Sequence, residues 1–510
     1  MAPLETVTPA PLATDQISTT PSTAPPRLTL VADSVVWLFL AALVMFTVSR
    51  HEPWADEAQS WLLARDLGWF KLIFSELRFE GHPGLWHSIL WVSIHVFHMP
   101  YAGIGYLGAT FAIAGLAVLI FLAPFPRPMS YLVASSFFLL YQYAAVARSY
   151  VLLPLLAFLS AYFLRQGMRK LIWFAVALSL LAHVSVHGAV IAIALASLFL
   201  LQHYGQWPTL DSGDKRNVLA AAGLFAFSLV MLVIILFPPR AQTVAMADAS
   251  SLTFSQHWQK AFGGLVGAVY NNTWLAAAIL LLIGVWCYGR RGLSVFLIAV
   301  GGLTLIYGFL RGVQQHQGLM LIAILVALWS VWPTEQEKAA APANFQILHS
   351  GLVTTLFLLF CLQTYWSACA MINDWRGPYC GAGDLAAYIK STHLEDQCYA
   401  YNYWEVGVQP YFDHNIFPNL GDRNAPSFFH ESEDFRENVG DLSAWKLRKA
   451  DPPCVLHTAI VWDRGSMDRM NMFATYMNEK GYSLVHVSQG FTFYKDTPGE
   501  NHVYALYRHR

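Results

Sequence analysis

Between residue 31 and about residue 370 the chain is a succession of apolar runs, at 31–49, 103–122, 131–147, 150–164, 171–183, 187–203, 218–237, 273–288, 293–310, 316–332 and 347–369. A bilayer core is crossed by about 20 mostly apolar residues, so the runs read as about eleven transmembrane helices, several of them short. Charge divides the chain at the same place. Residues 371–510 hold 31 of its 63 Asp, Glu, Lys and Arg, and the 370 residues before them share the other 32. The expected architecture is an α-helical polytopic membrane body, residues 31–370, followed by a soluble α/β domain, residues 371–510. Residues 1–30, with six prolines and many Thr and Ser, read as a disordered cytoplasmic leader.

Composition removes several functional classes. A net charge of -1 gives no electrostatic footprint for nucleic acid. Six cysteines in 510 residues, with no CxxC pair, are neither a disulfide scaffold nor a zinc site. Three of them, Cys380, Cys398 and Cys454, fall in the tail, and sequence leaves their pairing open.

Orientation follows from the basic residues. Segment 84–98 (GLWHSILWVSIHVFH) is short and rich in Trp and His, so it reads as an interfacial helix rather than a crossing. Arg127, Arg165, Arg169, Lys170, Lys215, Arg216, Arg290, Arg291 and Lys338 then fall in cytoplasmic connections. Outside connections after the first loop keep only Arg148, Arg240, Lys260 and Arg311. This puts the N-terminus inside. It puts a first loop at 50–102, the 238–272 connection and the C-terminal domain outside. In that domain, helices are expected at 383–392 and 466–480, and strands at 397–402, 454–461, 482–487, 491–495 and 502–507.

The first loop carries the densest chemistry. Its segment DEAQSWLLARD (56–66) has helical spacing, with Asp56 and Glu57 in the first turn, where the helix dipole favours acids. Capping that helix is one reading of the pair, and chemistry is the other. EGHPGLW (80–86) follows, a turn whose His82 reads as a hydrogen-bonded structural residue or as part of a site. Arg148-Ser149-Tyr150-Val151-Leu152 heads a later crossing. Arg148 there is either a phosphate ligand or an interfacial anchor.

These three motifs, in this order, resemble those of the GT-C glycosyltransferases, over residues 32–200. DEAQSWLLARD is similar to the family's first-loop "DE-A…AR" motif, EGHPGLW to its "GHPPLY" element, and ARSYVL to its "EAR-x-YAL" element. The set WADEAQSW, RFEGHPGLW, ARSYVL and QQHQG looks closest to a largely uncharacterised bacterial branch. The resemblance implies an integral-membrane enzyme, in a bacterial inner membrane, that moves a monosaccharide from a polyprenyl-phosphate donor to an envelope lipid, polysaccharide or protein. It implies Asp56 as the catalytic carboxylate, supported by Glu57. Arg148 is then placed to meet the donor phosphate, with Arg311 and His316 beside it, and His82, Tyr150, His183 and His187 lining the cavity.

The sequence departs from the family at Val146, where many members carry the Glu of "EAR". That departure weakens a divalent metal, which the residues otherwise do not fix. The i, i+4 pair His183 and His187 suits a metal only on continuous helix, and no HExxH accompanies it. Two competing classes share the polytopic body: a flippase of lipid-linked saccharides, and a non-catalytic assembly protein with a degenerate site. A transporter concentrates ionisable groups near the bilayer middle, where this chain has almost none.

Overall fold

The computed structural model describes residues 27–237, 253–309, 314–430, 452–461 and 463–510. Helix α1 (Arg27–Val48) leaves Val31, Val35, Leu38 and Phe39 exposed, a lipid-facing stripe on an unbroken apolar helix. After a short turn comes α2 (Ala55–Asp66), the helix expected in the first loop. Segment 84–98 folds as α3 (Leu85–His95), which has 11 residues and is too short to cross a bilayer. It is tied to α2 and the segment after it through its polar rims. Trp91 Nε1 donates to the Leu67 carbonyl at 3.0 Å and His95 Nε2 lies 3.0 Å from the Ala64 carbonyl.

The membrane body continues through α4 (Ile104–Leu122), α5 (Leu153–Arg165), α6 (Leu171–Ala182), α7 (Val186–His203) and α8 (Ser212–Leu236). Then come α9 (Phe254–Val269), α10 (Thr273–Gly289), α11 (Gln317–Val331) and α12 (Ala343–Arg376). Among the described residues six helices are long and apolar enough to cross a membrane, or seven counting the α9–α10 pair, which is bent by 75°. The other expected runs are short or broken. Run 131–147, for example, is the end of a helix over Arg127–Ala134, a π-helical turn over Phe137–Gln142 and then turns over 143–146 that lead to Arg148. The last helix runs on to Arg376, past the expected boundary at 370.

Helix α11 is the hub. Every residue from Gly318 to Val331 is buried, so none faces lipid. At its C-terminus Arg165 donates to the Trp329 and Trp332 carbonyls at 3.1 and 2.7 Å, and Arg290 Nε to the Val331 carbonyl at 3.0 Å. Cations there satisfy end carbonyls and oppose the helix dipole. Its N-terminus points to the face that carries α2.

On that face sits the C-terminal unit: α13 (Ala382–Ser391), β1 (Cys398–Ala400), β2 (Cys454–Val461), α14 (Arg464–Glu479), β3 (Tyr482–Tyr494) and β4 (Thr497–His509). The sheet order is β1-β2-β4-β3, with β1 and β2 parallel and the other pairs antiparallel. The strands expected at 482–487 and 491–495 are one strand, with register shifts between Leu484 and His486 and between Phe491 and Phe493. Gly490 lies between the two expected strands. A Cβ there would sit 2.3–2.4 Å from the Cys380 backbone, so the strand needs glycine to cross that segment. A disulfide joins Cys398 and Cys454, which are direct partners in the β1–β2 register. Cys380 keeps a buried thiol, 2.9 Å from the Tyr504 hydroxyl.

The unit is fastened to the first loop by specific bonds. Glu52 accepts the Gly381 and Gly383 amides at 2.6 and 2.5 Å, at the start of α13. Gln59 exchanges hydrogen bonds with the Phe429 backbone at 2.6 and 3.0 Å. Arg65 donates to the Phe412 carbonyl at 2.7 Å, and Asp66 accepts the Ser427 amide at 2.7 Å. A second anchor is the tip of the β3–β4 hairpin. Helix α9 ends at Val269, so the Gly267 carbonyl lacks a helical partner and takes the Lys495 ammonium at 2.7 Å. Asn271 and Gln317 accept from the same ammonium at 3.0 and 3.2 Å, and burial pulls its pKa down to about 8.

Candidate active site

Asp56 is the second residue of α2, and its carboxylate meets the Arg148 guanidinium at 2.6 Å. Two features of local folding bring them together. The helix start is fixed by Glu57, which accepts the Trp54 amide at 3.1 Å. The helical run ends in turns over 143–146 before Arg148, leaving the Ala147 amide to donate to Glu57 Oε1 at 2.7 Å. Burial opposes a charge on Arg148, but the Asp56 carboxylate outweighs it and raises the guanidinium pKa.

Glu57 is fully buried behind this pair. It also meets His51 Nε2 at 3.3 Å, while His51 Nδ1 lies 2.9 Å from Asp374 at the end of α12. Burial pulls the His51 pKa down, but Asp374 and Glu57 overcome it and raise the pKa to about 10. Asp374 also accepts from the Tyr141 hydroxyl at 3.3 Å. This network links the first loop, the segment before Arg148 and the last membrane helix.

Around Arg148 lies a ring of aromatic and imidazole groups. The guanidinium stands 5.6 Å from the Tyr150 ring centroid, and the Tyr150 hydroxyl lies 2.9 Å from His316 Nε2 at the N-terminus of α11. His82 and His187 have ring centroids 6.2 Å from Tyr150, and His187 is 5.0 Å from His316. His87 stands 6.4 Å from His82. Nδ1 of His82 and His87 and both ring nitrogens of His187 are buried without a hydrogen-bond partner among the described residues. Burial, aided by the Arg148, His87 and His187 fields, lowers the His82 pKa to about 3. Its imidazole is therefore neutral at ordinary pH, able to donate or accept a hydrogen bond without repelling Arg148.

The expected site residues thus divide. Asp56, Arg148, Tyr150, His82, His187 and His316 come together, with Glu57 behind them. His183 turns away, its Nε2 3.1 Å from the Ser228 carbonyl on α8, and so does not form a pair with His187. The reason is a break in the helix at residues 183–185, between α6 and α7. Arg311 lies outside the described residues. Among the described residues no three His, Cys, Asp or Glu side chains are disposed to hold a metal ion. Val146, where the family resemblance calls for an acid, is 3% exposed and packs into the core of the C-terminal unit beside Tyr379 and Cys380. Sequence reasoning missed His51, His87 and Asp374. His51 and His87 flank the recognised motifs and were within reach of it, but Asp374 joins from 323 residues away.

No protein-family model and no curated protein sequence matches the chain. Among solved structures, the crystal structure of ArnT from Cupriavidus metallidurans bound to undecaprenyl phosphate is similar over 94% of this chain and 97% of its own, with a TM-score of 0.50 and 11% sequence identity. The Asp56–Arg148 site therefore stands in a chain whose overall fold is similar to that of ArnT.

Proposed function

We propose that the protein is an integral-membrane glycosyltransferase that moves a monosaccharide from a polyprenyl-phosphate-linked donor to an envelope acceptor, at the outer face of a bacterial inner membrane. The observation that carries the reading is the 2.6 Å contact of Asp56 with Arg148 beside the N-terminus of a buried helix. Such a transfer needs a base for the acceptor hydroxyl and positive charge for the departing phosphate. Asp56 takes the acceptor proton, and the acceptor oxygen attacks the anomeric carbon. The bond from that carbon to the phosphate oxygen breaks on the opposite side, with inversion, and the electron pair leaves on the phosphate. Arg148 and the α11 N-terminus, with His316, meet that charge.

The buried imidazoles support the same reading. Polar groups buried without partners cost about 1–3 kcal/mol each, and a sugar's hydroxyls are partners of the right kind. ArnT was crystallised with undecaprenyl phosphate, a lipid of the class this site would use. The test is transfer or hydrolysis of a polyprenyl-phosphate sugar by purified protein, with Asp56→Asn as control. A flippase or a degenerate assembly protein predicts no sugar released by either form.

A further inference from the structure

A cavity of 470 Å³ lies between the β3–β4 hairpin and the membrane body, within the roughly 300–1,000 Å³ usual for small-molecule sites. Gln142 and Gln315 line it from the membrane body, Phe493 from the hairpin, Trp54 from the first loop and Tyr379 from the segment after α12. It is distinct from the Asp56–Arg148 pair, and two of its lining residues lead towards that pair. Trp54 caps the helix that carries Asp56. The Gln315 carbonyl accepts the Tyr143 hydroxyl at 2.6 Å, and the Tyr143 ring lies 6.1 Å from Tyr150.

The lining has a definite chemistry. The side-chain amides of Gln142 and Gln315 have no hydrogen-bond partner among the described residues. The Trp54 indole N–H is buried and also lacks one. An amide offers an acceptor beside two donors, a match for neighbouring hydroxyls, and the rings of Tyr379 and Phe493 offer surface to the C–H faces of a sugar. Among the described residues, the charged groups of the lining are Lys260 and Glu500, one of each sign. That is a poor site for phosphate, which calls for convergent cations.

We propose that this cavity is the acceptor subsite and that it takes a neutral saccharide, with hydroxyls on Gln142, Gln315 and the Trp54 indole. The inference rests on the transferase reading above and names its acceptor class.

The test uses full-length protein in lipid nanodiscs and saturation-transfer difference NMR. N,N′-diacetylchitobiose and lactose are the neutral probes, and glucose 6-phosphate is the charged one. Gly263 also lines the cavity, and a Cβ built on it meets no heavy atom within 4 Å. Gly263→Trp therefore fills the space without forcing the backbone. A neutral disaccharide should bind wild type and Asp56→Asn alike, and about tenfold or more weaker to Gly263→Trp and to the Gln142→Ala/Gln315→Ala double variant. Failure of either neutral probe to bind, tighter binding of glucose 6-phosphate, or equal binding by Gly263→Trp overturns the proposal. Failure of the transferase reading has a separate signature: no sugar released from a polyprenyl-phosphate donor by wild type or Asp56→Asn, whatever the saccharide binding.

Discussion

Glu57 Oε1 accepts the Ala147 amide at 2.7 Å, and one residue along each segment Asp56 meets Arg148 at 2.6 Å. The two contacts run side by side between α2 and the non-helical chain that precedes Tyr150. The inner one is dry and tied to His51, and the outer one stays partly exposed, with 17% and 19% of its two side chains accessible. The buried acid holds the spacing of the outer, partly exposed pair.

Asp56→Asn keeps the side-chain volume and removes both charge and basicity. Transfer should fall by about 10²–10⁴ while the protein elutes and melts as wild type does. Asp56 and Arg148 act on one another, so the Asp56→Asn/Arg148→Gln double variant should lose less than the product of the single losses, as a kinetic cycle would read. Wild-type turnover by Asp56→Asn would reduce the residue to helix capping.

Arg148→Lys separates a phosphate ligand from a membrane anchor. A ligand of phosphate uses the planar guanidinium fork, so lysine should bind donor poorly and Gln worse, by about 2–5 kcal/mol for a well-desolvated pair. An anchor can be replaced by a snorkelling lysine at almost no cost. Donor affinity measured for both variants at equal expression decides.

Much of this was legible. The apolar runs, the change in charge density at 371 and the first-loop motif led to a helical body, a mixed tail domain and the residues Asp56 and Arg148. Crossings were harder, because average hydropathy counts apolar residues and is blind to the π-turn at Phe137–Gln142 and the bend between α9 and α10. Partners at long range were not legible at all. Lys495 sits in YKDTPG, an ordinary exposed turn by its residues, yet it is 1% exposed because its acceptors come from 178 to 228 residues away. The Arg65–Asp66 end of the first-loop motif likewise binds residues 412–427.

His51 sets a pH limit. Its pKa is 6.5 unperturbed and about 10 in the fold, so the folded state binds the extra proton. The resulting stabilisation is complete below about pH 6.5 and disappears as pH rises towards 10. Thermal melts in detergent should fall across that window, and His51→Gln should flatten the slope while lowering the melt at pH 6. A wild-type melt that does not change from pH 6.5 to 10 would contradict the network.

The disulfide is checked by counting thiols. Alkylation of unreduced, denatured protein should label four of the six cysteines, with Cys398 and Cys454 protected. Replacing both with Ser should cost the C-terminal unit about 2–4 kcal/mol, seen as faster proteolysis between residues 398 and 454.

The bond between Gln59 and Phe429 spans 370 residues. At about 5–20 residues per second, a ribosome needs roughly 20–75 s between the two. Throughout that interval α2 has emerged without the groups that fasten it. Chain elongation therefore acts as a timer, and a nascent chain stopped before Phe429 carries Asp56 and Arg148 without the clasp that fixes α2. Assembly of the site thus waits until synthesis has passed Phe429.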